Sequence, residues 1–126
     1  LPDDVKITLA GGTQMMAVAA LLRDMGVTRD IIVATTKYVH IDPTSRFEEY
    51  AGRIGVDWYA APLDFTNSRF KGLADYEKGF IKEGVGAGGA VWYAQKHGVS
   101  IERIQSRTEE LYERMVKDGA PNGEIQ

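Results

Sequence analysis

Apolar residues recur first at every second position and then at every third or fourth, and this switch occurs twice before Gly55. Val5 to Ala10, VKITLA, alternates and is β-branched, which predicts a half-buried strand. It breaks at Gly11-Gly12, after which Met15, Met16, Ala19, Leu22 and Met25 repeat at helical spacing. Ile31 to Thr36, IIVATT, is a short apolar run of the kind enclosed in a parallel sheet. DPTSRFEEYAGRIG follows as a second helix, with Asp42 or Thr44 as N-cap and Gly55 as its stop.

Val56 begins a third strand near residues 56–60, and Pro62 ends it because proline cannot donate to a ladder. A long connection runs from Asp64 to Lys71. LADYEKGF makes about two helical turns, a glycine stretch interrupts them, and GAVWYAQKHG forms a helix ending at Gly98. In the last helix, SIERIQSRTEELYERMVK, the expected inner face carries Ile101, Ile104, Leu111, Tyr112 and Met115. The pattern predicts an α/β, Rossmann-like three-layer parallel sheet with a helical C-terminal third. Residues 1–117 form the α/β portion, and 118–126 a flexible tail. The edge at the N-terminal strand is expected to expose apolar surface where further chain, or a second copy, packs.

The 126 residues suit one domain. A net charge of −3 without a block of Lys and Arg argues against a nucleic-acid footprint, and no apolar run has the ~20 residues a membrane-spanning helix needs. The absence of cysteine rules out disulfides, thiolate metal sites and a cysteine nucleophile, and fits a reducing cytoplasm. His40 and His97 lack a second histidine at ligand spacing, so no metal site is expected. The start, LPDDVKITLAGG, has no signal-peptide pattern and no Met, and is expected to belong to a trimmed fragment.

Ligands of open α/β sheets bind outside the carboxyl ends of the strands. Four stretches fall there: Gly11, Gly12, Thr13 and Gln14; Thr35, Thr36 and Lys37; Asp64 to Arg69; and Lys82 to Gly89. Free N–H groups after Gly11-Gly12 can hold a phosphate or a polar ring edge, while a tight turn with Thr13 as N-cap accounts for the same residues. The Thr35 and Thr36 hydroxyls either face a ligand or cap the next segment. Lys37 and Arg69 are candidate phosphate contacts. Gly84 to Gly89 spells G-x-G-x-x-G, but its context is wrong for a dinucleotide fingerprint: a helix, not a second strand, follows the glycine-led helix. Close helix packing is the plainer explanation of these glycines. Glu83, directly before them, stands where a flat ligand can desolvate it and raise its pKa toward that of a useful base, while a solvated surface carboxylate is the plainer account of a lone glutamate.

LAGGTQMMAVAALL, IIVATTKYV, LDFTNSRFKGLADYEKGFIKEGVGAGGA and EELYERM together resemble the C-terminal part of the nicotinate-nucleotide–dimethylbenzimidazole phosphoribosyltransferases, in their archaeal and cyanobacterial branch. The resemblance runs from about Ile7 to Met115. It implies transfer of phosphoribosyl from nicotinate mononucleotide to a benzimidazole-type base, giving the α-ribazole phosphate of the cobalamin lower ligand. It further implies Glu83 as general base, Gly84 and Gly86 as the glycines following it, Gly11 and Gly12 as the turn beside the substrate cleft, no cofactor, and a homodimer. Where the bacterial branch has Gly and Thr, this chain has Lys82 and Val85; where that branch has Asp-Gly, it has Thr35-Thr36. The family's N-terminal portion, with its other nucleotide-binding glycine loop, is not in this chain. Two rivals stand beside this reading: a nucleotide-binding or sensing module without turnover, and an assembly domain whose glycines serve packing alone.

Overall fold

A computed structural model of the chain describes residues 2, 4–75 and 86–119. Three parallel strands, β1 (Ile7–Ala10), β2 (Ile31–Thr36) and β3 (Asp57–Ala61), pair in the order β1-β2-β3. α1 (Thr13–Asp24) connects the first two, and α2 (Lys37–Ile41) and α3 (Phe47–Ile54) the second pair. After β3 come α4 (Lys71–Ala74), α5 (Ala87–Lys96) and α6 (Ile101–Gly119). Pro62 stands immediately beyond β3, as its missing donor requires.

The fold is an α/β Rossmann-like arrangement with one helical layer on each face of the sheet. Strand alternation sends Ile31 and Val33 to one side, where they join Met16 and Ala19 of α1 and Phe47 and Ala51 of α3. On the other side Ala61, Leu63, Phe65 and Val91 pack with Tyr59, Leu73, Ile101 and Ile104 under α5 and α6. β2 lies between the other two strands, and all its residues but Ile32 are buried, which explains its unbroken apolar run.

α1, α3 and α5 are each followed by a glycine with positive φ: Gly26, Gly55 and Gly98. A left-handed residue lets the chain leave the helix while its last carbonyls stay bonded, as when Gly55 N–H donates to Ala51 O at 3.0 Å.

Several local expectations need correction. Neither Asp42 nor Thr44 caps α3: Asp42 Oδ1 already accepts from the N–H (2.9 Å) and hydroxyl (2.7 Å) of Thr44, and the helix starts after Arg46, at φ 48°. α2 was not expected. Its five residues, KYVHI, follow β2 without a turn, and tertiary contacts hold them: Val39 is buried and the Tyr38 hydroxyl donates to Leu63 O at 3.2 Å. On α6 the inner face is Ile101, Ile104, Thr108, Tyr112 and Val116, while Leu111 and Met115 are exposed. The rotation is set by Tyr112 against Phe70 (ring centroids 5.2 Å apart) and by Glu113 paired with Arg69 at 2.8 Å. Met25, expected to pack, is 70% exposed. α6 also continues to Gly119, past the expected boundary at 117; the remainder of the expected tail lies outside the described residues. Among the described residues no helix is long and apolar enough to cross a membrane.

Candidate functional site

Gly11 N–H donates to Ala34 O at 3.0 Å, extending the β1–β2 ladder one residue beyond the strand before the chain turns into α1. Gly11 and Gly12 are buried, whereas Thr13 and Gln14 face outward. The N-cap of α1 is Gly12 and not Thr13, and no side chain caps the helix. Met15 and Met16 N–H both turn back to Gly12 O, and the first turn holds no acidic residue. A cavity of about 440 Å³ opens here, lined by Gly12, Thr13 and Gln14 on one side and by Val39, Asp42, Thr44 and Ser45 on the other. Ser45 forms a fixed part of the wall, its hydroxyl lying 2.6 Å from Val39 O and 2.8 Å from Asp42 O.

α5 reaches the same strand ends from the opposite face. A methyl group on Gly88 would lie 2.1 Å from Thr35 O, and one on Gly89 would lie 2.4 Å from Ala10 Cβ, so the space beside both glycines is filled by the sheet and neither can receive a ring. Gly86 is more open: the nearest atom to its hypothetical Cβ is Ala10 O at 3.6 Å. It is the N-cap of α5, again without a side-chain cap and without an acidic residue in the first turn. Among the described residues, two helix N-termini without side-chain caps thus lie at the carboxyl ends of β1 and β2, and a helix start carries free N–H groups and partial positive charge. Glu83, Lys82 and Gly84 lie outside the described residues.

Between these helix ends sit two orphan hydroxyls. Thr35 and Thr36 are 0% and 1% exposed, and neither Oγ1 has a hydrogen-bond partner among the described residues. Thr36 occupies the N-cap position of α2 but makes no capping bond, so the capping explanation of this pair does not hold. Alternation places Thr35 on the α1–α3 face and Thr36 on the α5 face. Leaving a buried hydroxyl unpaired costs about 1–3 kcal/mol, which calls for a reason.

Asp64 follows β3 at the same end of the sheet. Its Oδ1 accepts from Thr66 hydroxyl (2.6 Å) and N–H (2.9 Å), and its Oδ2 lies 3.4 Å from Lys37 Nζ. The Thr66 donors, with Lys37 adding its charge, hold the carboxyl down at about 2, so it remains an anion through the ordinary pH range. Asp42-Pro43-Thr44 and Asp64-Phe65-Thr66 build the same turn, each aspartate accepting from the N–H and hydroxyl of the threonine two residues on. Arg69 is committed to Glu113 and lies 4.6 Å over the Phe70 ring, facing α6. Asp57 and Asp64 fall at opposite ends of β3 and form no carboxylate pair. His40 stacks on Trp58 at 4.6 Å and contacts Glu48, on the α3 side of the sheet.

No family model matches the chain. Among curated proteins it is 53% identical over 112 residues to a UPF0284 protein of Pyrococcus abyssi, covering 88% of this chain and 33% of that protein. It is 54% identical over 112 residues to a UPF0284 protein of Thermococcus gammatolerans, covering 88% and 34%. With a UPF0284 protein of Methanothermobacter thermautotrophicus it shares 45% identity over 111 residues, covering 85% and 31%. The chain spans about a third of the length of the curated relatives it matches. None of these names states a reaction.

Proposed function

We propose that this chain supplies the base-accepting side of a phosphoribosyl-transfer site that uses nicotinate mononucleotide and a benzimidazole-type base. The observation that carries this reading is the convergence of two uncapped helix N-termini, α1 at Gly12 and α5 at Gly86, on the ends of β1 and β2. Such an arrangement favours an anionic group, as the phosphate of a nucleotide would be. The unpartnered Thr35 and Thr36 hydroxyls support it as polar groups that a bound molecule could satisfy. Glu83 stands three residues before Gly86 in the sequence.

In the proposed reaction a ring nitrogen of the base attacks C1′ of the ribose, forming a C–N bond as the bond from C1′ to nicotinate breaks. The attacking ring gains positive character, and its other N–H proton passes to the Glu83 carboxylate. Nicotinate leaves with the electron pair of the broken bond. The Thr13 and Gln14 end of α1, with Gly11 and Gly12 behind it, lies toward the phosphoribosyl group. Lys37 adds positive charge from the end of β2, tethered to Asp64. This chemistry is that of cobalamin lower-ligand assembly.

A chimera with this chain in place of the matching third of the Pyrococcus abyssi relative tests the reading. Nicotinate release should match base consumption, and Glu83→Gln should reduce turnover by about 10²–10⁴ with little change in melting temperature. Turnover within about threefold of the parent removes Glu83 from the mechanism.

One observation favours a second reading. Gly88 and Gly89 are explained entirely by the approach of α5 to the sheet, as an assembly domain would require. That domain gives no saturable shift in melting temperature with nicotinate mononucleotide, since only a ligand that binds the native state stabilises it. A sensing module gives the shift without nicotinate release.

A further inference from the structure

Among the described residues β1 is an edge strand, and apart from Lys6 directly before it no guard usual for an edge lies along it. Ile7 N–H donates to Asp30 O and Gly11 N–H to Ala34 O, each at 3.0 Å. Alternation then turns the N–H and C=O groups of Thr8 and Ala10 away from β2, and both residues are exposed. The run Ile7-Thr8-Leu9-Ala10 holds no charge, proline or bulge of the kind that blunts an open edge. β3, the opposite edge, opens with exposed Asp57 and is followed by Pro62.

α1 presents a second bare surface on the same side. Its Ala17 and Ala20 line a cavity of about 240 Å³ with Tyr50 and Ile54 of α3, and its Met16 and Ala19 face the sheet core. At about 100° per residue, Val18 falls on the flank turned away from α3 and Met25 between that flank and the back of the helix, while Leu21 stands on the back, one turn from Ala17. Leu21 is 57% and Met25 70% exposed. In the strand order β1-β2-β3, α3 lies toward β3, so the side of α1 that carries Val18 and Met25 lies toward the open side of β1. A helix apolar on all sides is ordinarily enclosed on all sides.

We infer that the β1 edge and the adjoining Val18–Met25 side of α1 together receive a parallel strand and a helix from the portion of a longer polypeptide that this chain does not span. The relatives are about three times the matched length, so ample chain exists to cover the surface. A second copy is the weaker occupant: β1 offers it only the outward groups of Thr8 and Ala10, too few to hold separate molecules together. The same bonds suffice within one polypeptide, where the effective concentration of the strand is high. This inference does not rest on the proposed reaction, and neither fails with the other.

Backbone amide exchange decides it, read residue by residue on the isolated chain and on the Pyrococcus abyssi chimera. In the isolated chain the Thr8 and Ala10 amides should exchange freely while Ile7, Leu9 and Gly11 are protected. In the chimera Thr8 and Ala10 should slow by about 100-fold or more. Free exchange in a chimera that melts cooperatively overturns the inference. So does protection in the isolated chain that disappears on dilution, which assigns the surface to a second copy. Should the chimera fail to melt cooperatively, the same measurement is made on the matching strand of the intact relative, where slow exchange supports the inference and free exchange overturns it. Met25→Glu adds a side-chain test: it should leave melting of the isolated chain within about 2 °C and lower that of the longer polypeptide by about 5 °C or more. Equal effects in both place Met25 outside the contact.

Discussion

On one face of the sheet Met16, Phe47 and Val33 interpose side chains between helix and strand; on the other, Gly88 and Gly89 let α5 settle directly on Thr35 and Ala10. The first kind of contact holds the layers apart and leaves room at the strand ends, where a cavity of about 440 Å³ opens beside Gly12. The second leaves none. Glycines therefore mean different things at the two sites: at α5 they remove atoms that would collide with the sheet, while at α1 they shape a turn whose surroundings remain open. Open space lies on the α1 side and at the Gly86 end of α5, not in the α5–sheet seam.

The most severe way to challenge this contrast is Gly88→Ala. Its methyl would meet Thr35 O at 2.1 Å, and backbone cannot move aside as a side chain can, so α5 must lift. The expected loss is about 3 kcal/mol, at the upper end for overpacking, and roughly 10 °C in melting temperature. A melt within about 1 kcal/mol of the parent would show that the seam is loose and the contrast mistaken.

Arg23→Met probes the opposite layer. The guanidinium donates to Val27 O and Arg29 O at 2.8 Å and to Gly55 O at 3.0 Å, tying the ends of α1 and α3 together. Methionine keeps much of the stem but none of the donors, so denaturant titration should show a loss of about 1–2 kcal/mol. Gly11→Ala should do less. The three atoms nearest its methyl all belong to the Met15 side chain, with Cγ at 2.4 Å, and an unbranched side chain can swing away, so the change should remain below about 1 kcal/mol. A loss as large as that of Gly88→Ala would make the two glycine sites equivalent.

The smallest effect concerns alkali. Burial pushes the Tyr59 phenol above its ordinary pKa, and its hydroxyl contacts Gln95 under α5. Because the folded-state value lies above the unfolded one, the contribution is complete below the unfolded pKa and is lost as pH rises through the folded value. Melting temperature should therefore fall on the alkaline side of about pH 10, and Tyr59→Phe should flatten that fall.

Much of the layered fold is legible in the residues because its signals are local. VKITLA, IIVATT and the glycines after α1, α3 and α5 mark their elements without help from distant chain. α2 is not legible: KYVHI has neither length nor a cap, and depends on Leu63 and on burial of Val39. The α6 face is misread for the same kind of reason, since Leu111 and Tyr112 are one helical step apart and only the Phe70 and Arg69 contacts choose between them. At the candidate site, sequence nominates Gly11, Gly12, Thr35, Thr36 and Gly86 from their position at strand ends. It does not show that the space beside Gly88 and Gly89 is filled by the sheet, or that the two threonine hydroxyls lack partners among the described residues, because both facts depend on residues far away along the chain.

The seam between Gly89 and Ala10 also orders events in time. It joins positions nearly eighty residues apart, whereas the β1-α1-β2 and β2-α3-β3 units close much shorter loops. Loop-closure entropy grows with separation, and contacts distant in sequence are the slow ones, so the strand–helix–strand repeats assemble first and α5 docks onto a sheet already made. The N-termini of α1 and α5 are thus brought together only at the end of folding, and a chain arrested before that step would carry most of its secondary structure and no candidate site.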